Sequence, residues 1–108
     1  MAGILDGKVA LVTGGASGIA CATAMAMARE GARVAVSDLS KKGLEATVAL
    51  INSAGGQSIA IAGDVAEEAD VANTVARTIS AFGRIDCAFN NAGVASRSVG
   101  RLVNARTS

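Results

Sequence analysis

The sequence predicts an α/β fold, a parallel sheet with helices on both faces. Three observations carry that expectation. Four short apolar runs each end in a turn rich in Gly, Asp or Asn. Three stretches suited to helix lie between them, and the connections are short. The chain has 108 residues, room for one small domain.

Lys8-Val9-Ala10-Leu11-Val12-Thr13 is a continuous apolar run that suits a parallel strand buried on both faces. Gly18 to Glu30 is rich in Ala and Met, holds no breaker and is closed by Gly31, which reads as a helix with a glycine stop. Arg33 to Ser37 is the second strand, with Asp38 at its end. Ser40 is placed to cap the next helix, where Leu44, Val48 and Ile51 share one face up to Gly55-Gly56. Ser58 to Ala62 is the third strand, followed by Gly63-Asp64-Val65. The stretch from Glu67 to Phe82 puts Val71, Val75, Ile79 and Phe82 on one stripe, and its acidic start suits the positive end of a helix dipole. Ile85 to Phe89 is the fourth strand, ending at Asn90-Asn91-Ala92-Gly93.

Composition narrows the chemistry. The chain is 51% hydrophobic and 18% charged, as globular proteins are, and its net charge of +1 leaves no nucleic-acid footprint. It contains no His, Tyr, Trp or Pro. A Ser-His-Asp triad, a His-ligated metal and any mechanism that needs a phenol are thereby excluded. Cys21 and Cys87 form no C-x-x-C pair, so reduced, buried thiols are expected in place of a disulfide or zinc site. The N-terminus is unlike a signal peptide, and no apolar run approaches the ~18 residues that span a bilayer, so a cytoplasmic protein is expected.

Thr13-Gly14-Gly15-Ala16-Ser17-Gly18-Ile19-Ala20 joins the first strand to the first helix. Glycines there let the backbone turn sharply and approach a ligand, with the free N–H groups of the helix start facing an anion. The G-x-x-x-G-x-A spacing by itself is compatible with a ligand-free turn, a methyl-donor nucleoside or a dinucleotide. Asp38, about twenty residues past the glycines, is placed either to accept hydrogen bonds from an adenosine ribose or to cap the following helix. In the ribose role its carboxylate would repel a 2′-phosphate, and neither Ser17 nor Leu39 is the cation that would welcome one, which favours NAD over NADP. Asp64 suits an adenine contact or a helix cap. The Asn90-Asn91-Ala92-Gly93 segment reads on its own as a turn.

As a set these motifs resemble the short-chain dehydrogenase/reductase family: Thr13-Gly14, Gly18-Ile19-Ala20, Asp38, Gly63-Asp64-Val65 and Asn90-Asn91-Ala92-Gly93, in order at the ends of successive strands. The likeness runs from about residue 5 to residue 94. Ala20 departs from the family's usual glycine but is small enough for close helix–strand packing. The resemblance implies that Gly14, Ser17, Gly18 and Ile19 line a pyrophosphate. It places Asp38 on the adenosine ribose, Asp64 and Val65 on the adenine, and Asn90, Ala92 and Gly93 beside the nicotinamide ribose. It also implies a partial Rossmann-type, doubly wound sheet of order 3-2-1-4, with the fourth strand at an edge.

Residues 1–94 would then be the NAD-binding half of a Rossmann-type domain, and 95–108, with Arg97, Arg101 and Arg106, a basic tail in loop or disorder. The family moves hydride between a nicotinamide and a secondary alcohol or ketone, using a Ser, a Tyr-x-x-x-Lys pair and an Asn downstream of the Asn-Asn-Ala-Gly turn. This chain has no Tyr, and Asn104 lies too close to the turn to be that Asn, so no catalytic residue is assigned. The expectation is an inactive cofactor-binding portion of such an oxidoreductase. The alternatives are a non-catalytic NAD-binding or interaction module that pairs through the fourth strand, and a different doubly wound nucleotide binder. Ile85, Cys87 and Phe89 are expected on one face of that strand and Ala88 on the other, with self-association through its open edge.

Overall fold

The computed structural model describes residues 3–14, 18–64 and 67–90. The elements are β1 (Val9–Thr13), α1 (Gly18–Arg29), β2 (Arg33–Asp38), α2 (Lys41–Ser53), β3 (Gln57–Ala62), α3 (Glu68–Phe82) and β4 (Cys87–Asn90). All strand pairings are parallel, in the order β3-β2-β1-β4. The expected topology is the one found, with boundaries within two residues of those read from the sequence. The basic tail and the Asn91-Ala92-Gly93 part of the turn lie outside the described residues.

β1 is the central strand, and all five of its residues are buried. Its alternating side chains feed two cores. On one face Ala10 and Val12, with Val34 and Val36 of β2, pack against Ala20 and Ala24 of α1 and Leu44 and Ile51 of α2. On the other, Leu11, Ala35 and Ile61 pack against Val71 and Val75 of α3. Ala20 is fully buried in this contact, so the alanine that departs from the family glycine fits the close packing of α1 on the sheet.

Local signals set the helix ends. Ser40 Oγ accepts the Gly43 N–H at 3.1 Å and caps α2. Gly31, at φ +98°, turns the chain from α1 toward β2, and Gly83, at φ +88°, closes α3. Glu68 and Asp70 are the expected acids in the first turn of α3, while Glu67 stands just before the helix as its N-cap residue.

Two expectations are corrected. Ile85 belongs to the core under α3, not to the face of Cys87 and Phe89, which pack toward α1 and α2. The cause is that pleating begins only at Cys87. Ile85 precedes the strand, where Asp86 is bound through both backbone and side chain to Val9. Second, Cys21 and Cys87 are half-buried, not buried. Burial, then the neighbouring Asp86 carboxylate, push the Cys87 thiol up from its ordinary pKa, so it stays protonated at neutral pH. No helix among the described residues is long and apolar enough to cross a membrane.

Candidate functional site

Parallel pairing places the carboxyl ends of all four strands at one edge of the sheet. Thr13 lies in register with Ser37 of β2 on one side and Asn90 of β4 on the other, and Asp38 with Ala62 of β3. Gly14, Asp38, Asp64 and the backbone of Asn90 therefore gather at that edge. Open parallel sheets bind ligands there, outside the strand ends. Ser17, Val65, Ala92 and Gly93 lie outside the described residues.

Gly14 leaves β1 at φ +73°, a conformation that glycine adopts without strain. Gly18 opens α1 with free space above it, since an added Cβ would meet no atom within 4 Å. The first turn of α1 carries no acidic residue, so its own side chains leave the positive end of the helix uncompensated. Ile19 in that turn is 70% exposed. Leu39, directly after Asp38, is also 70% exposed. Among the described residues, two of the four large exposed apolar side chains thus stand at this edge, where a ligand would cover them. The sequence reading weighed Leu39 only as a position without a cation, not as an apolar contact. An apolar residue directly after a strand-end acid was the available signal.

Asp38 is held from two directions. Its Oδ1 accepts the Ser40 N–H at 3.0 Å, and its carbonyl accepts the Gly63 N–H at 3.0 Å. Ser40, not Asp38, caps α2, and the bond from the Ser40 N–H fixes the Asp38 carboxylate at the edge. Asp64 follows Gly63, and its N–H donates to Asp70 Oδ2 at 2.8 Å, tying the end of β3 to the first turn of α3. Beneath Asp64 a narrow slot runs between the sheet and α3, lined by Leu11, Thr13, Ser37, Asp64, Asp70, Val71 and Thr74. The sequence reading missed Ser37, Asp70 and Thr74, because nothing along the chain marks residues that only sheet register and helix packing bring together. No cluster of three or more potential metal-ligating side chains occurs among the described residues.

Comparison with known proteins fits this geometry. The short chain dehydrogenase family model matches residues 8–106. D-threitol dehydrogenase of Mycolicibacterium smegmatis is 50% identical over 91 residues, covering 84% of this chain and 35% of that protein. The 2,5-dichloro-2,5-cyclohexadiene-1,4-diol dehydrogenase of Sphingobium indicum is 44% identical over 94 residues, covering 87% and 38%. Among solved structures, a hydroxysteroid dehydrogenase from Escherichia coli superposes with TM-score 0.80 at 37% identity, over 82% of this chain and 38% of that one. A dehydrogenase/reductase from Sinorhizobium meliloti superposes with TM-score 0.89 at 29% identity, over 94% and 50%. The chain spans about a third of the length of the curated relatives it matches. Family model, relatives and superposed folds agree, and the chain belongs to the short-chain dehydrogenase/reductase family.

Proposed function

We propose that this chain is the NAD(H)-binding portion of an oxidoreductase that moves hydride between a nicotinamide and a secondary alcohol or ketone. The observation that carries the reading is the Asp38 carboxylate, fixed at the end of β2 beside the Gly14 turn and the acid-free start of α1. Asp38 accepts hydrogen bonds from the adenosine ribose while Ser40 holds its Oδ1 in place. Its charge repels a 2′-phosphate, so NAD is preferred to NADP. The space over Gly18 admits the pyrophosphate, which Gly14, Ser17, Gly18 and Ile19 line. Asp64 and Val65 take the adenine, and Asn90, Ala92 and Gly93 flank the nicotinamide ribose. When bound, the nicotinamide supplies the hydride acceptor or donor. With no Tyr to act as general acid or base, a role worth ~10²–10⁴-fold in rate, the 108 residues alone do not turn over substrate. A cytoplasmic location goes with this reading.

Calorimetric titration of the chain with NAD, NADH and NADP tests it. Saturable NAD(H) binding is expected, weaker binding of NADP, and a ~10- to 100-fold loss with Asp38→Ala. A folded chain that binds neither NAD nor NADH overturns the proposal.

The second reading is a non-catalytic NAD-binding or interaction module. β4 favours it, because among the described residues this strand pairs only with β1 and Ala88 is exposed. A full-length relative that captures the chain through this edge would support it.

A further inference from the structure

β3 is the outer strand at the end of the sheet away from β4, and its hydrogen bonds reveal which of its backbone groups stay open. The Arg33 N–H donates to the Lys8 carbonyl, so the odd-numbered residues of β2 face β1 and the even-numbered ones face β3. The Gly63 N–H donates to the Asp38 carbonyl, which turns the odd-numbered residues of β3 toward β2. Ser58, Ala60 and Ala62 therefore direct their N–H and carbonyl groups outward. The Ser58 N–H follows this pattern. It leaves the sheet and donates to Asn52 Oδ1 at 3.1 Å, where the Ser58 hydroxyl joins it at 3.0 Å. Among the described residues, no such cover meets the outward N–H groups of Ala60 and Ala62.

Exposed strand edges are usually guarded by lysine, proline or a bulge. The six residues of β3 include no charge and no proline, and Asn52 covers only the Ser58 N–H. The strand is also its own complement. A two-fold axis through Ala60 pairs it antiparallel with a second copy, setting Ala60 opposite Ala60, Ser58 opposite Ala62 and Ile59 opposite Ile61. Each Ala60 then exchanges N–H and carbonyl with the other, and each Ala62 N–H donates to the Ser58 carbonyl across the axis. These bonds use the outward groups that Asn52 leaves open. Ile59 and Ile61, which lie on the α3 face, form a β-branched cross-strand pair. From Gln57 to Gly63 no residue is charged, so no like charges meet across the axis. β4 offers a shorter edge of four residues.

We propose that β3 is a homodimer interface, at which two copies of this chain pair antiparallel about Ala60 and join their sheets into one. The carboxyl edge of each sheet then lies beside the amino edge of the other, so the Gly14–Asp38 sites of the two copies open in opposite directions. The pairing does not depend on nucleotide binding.

The test follows amide hydrogen exchange of the 108-residue chain by NMR at low and high protein concentration, with sedimentation equilibrium in parallel. A mass rising to that of a dimer is expected, together with a ~10-fold or greater slowing of exchange at Ala60 and Ala62 at high concentration. Ala62→Pro removes an outward N–H that the ladder to β2 does not use, a position where proline is tolerated. Its Tm should match wild type, while the dimer weakens ~10- to 100-fold. Should the variant melt lower, the exchange pattern of wild type decides alone. Association that protects Ala88 of β4 and leaves Ala60 and Ala62 unchanged overturns the proposal. So does a monomer at every concentration, or a stably folded Ala62→Pro that dimerises as tightly as wild type.

Discussion

Val9 and Asp86 hold each other by two hydrogen bonds: the Val9 N–H donates to Asp86 Oδ2 at 2.8 Å, and the Asp86 N–H donates to the Val9 carbonyl at 2.8 Å. The first residue of the central strand is thus fastened to a residue 77 positions later. Arg84 braces the other carboxylate oxygen, with Nε at 2.9 Å and Nη2 at 2.5 Å from Oδ1. The clasp lies at the opposite edge of the sheet from Gly14 and Asp38.

Asp86→Ala leaves the N–H of fully buried Val9 without its acceptor. The expected cost is about 1.5–3 kcal/mol, the range for hydrogen bonds to charged groups. Urea unfolding should show a lower midpoint at unchanged slope. A loss under about 0.5 kcal/mol, the scatter of ordinary surface changes, would mean that the clasp is dispensable.

The same carboxylate predicts an acid limb. Burial pushes the Asp86 carboxyl up, but the Val9 N–H, the Arg84 hydrogen bonds and charge, and the Lys8 charge together hold it below its ordinary value of 3.8. A carboxyl depressed on folding stabilises the native state above its unfolded pKa, and that contribution disappears as pH falls through the lower folded value. Melting curves from pH 7 downward should stay flat in this contribution until about pH 4 and then fall. Asp86→Asn should start less stable and lose less below pH 4. Parallel acid limbs in the two proteins would assign the loss to other carboxyls.

Gly31→Ala should be worse than Gly55→Ala, although both glycines have positive φ, +98° and +91°. At Gly31 the new Cβ would stand 2.7 Å from the Asp6 Cα, whereas at Gly55 it meets nothing within 4 Å. The strain common to both is about 1–2 kcal/mol, and Gly31→Ala adds a backbone clash. Equal Tm losses would show that the segment around Asp6 yields freely.

The outer edge of β4 predicts association of the 108-residue chain. Cys87 and Phe89 are half-buried, Ala88 is exposed, and among the described residues no strand pairs with this edge. Unpaired strand edges recruit other strands. Sedimentation velocity should show larger species growing with concentration, and a monomer at all concentrations would remove the expectation.

The sheet and its order were legible because the strands are short apolar runs punctuated by glycine, an acid or asparagine, α2 and α3 carry stripes at helical spacing, and α1 is an unbroken Ala- and Met-rich stretch closed by Gly31. Ile85 was misread because alternation was extended backwards through Asp86, whose bonds to Val9 interrupt the pleat. Gly14, Asp38 and Asp64 could be placed at strand ends from the sequence because a glycine or an acid punctuates each of their apolar runs, while Gly18 and Ile19 were read from the glycine loop and the family resemblance. Ser37 was not, because a serine in an apolar strand looks like any other. Its place beside Thr13, in one slot with Asp64 and Thr74, is created by folding.

The central place of β1 has a kinetic consequence. Of the four strands this one is synthesised before the others, and β2 covers one of its edges after about twenty further residues, yet β4 completes the other only 77 residues after Val9. At translation rates of about 5–20 residues per second, that edge waits roughly 4–15 s for its partner. Non-local parallel pairing of this kind is intrinsically slow. The strand most deeply buried in the finished sheet is therefore exposed longest while the chain is being made, and a chaperone or a neighbouring nascent chain has those seconds in which to engage it.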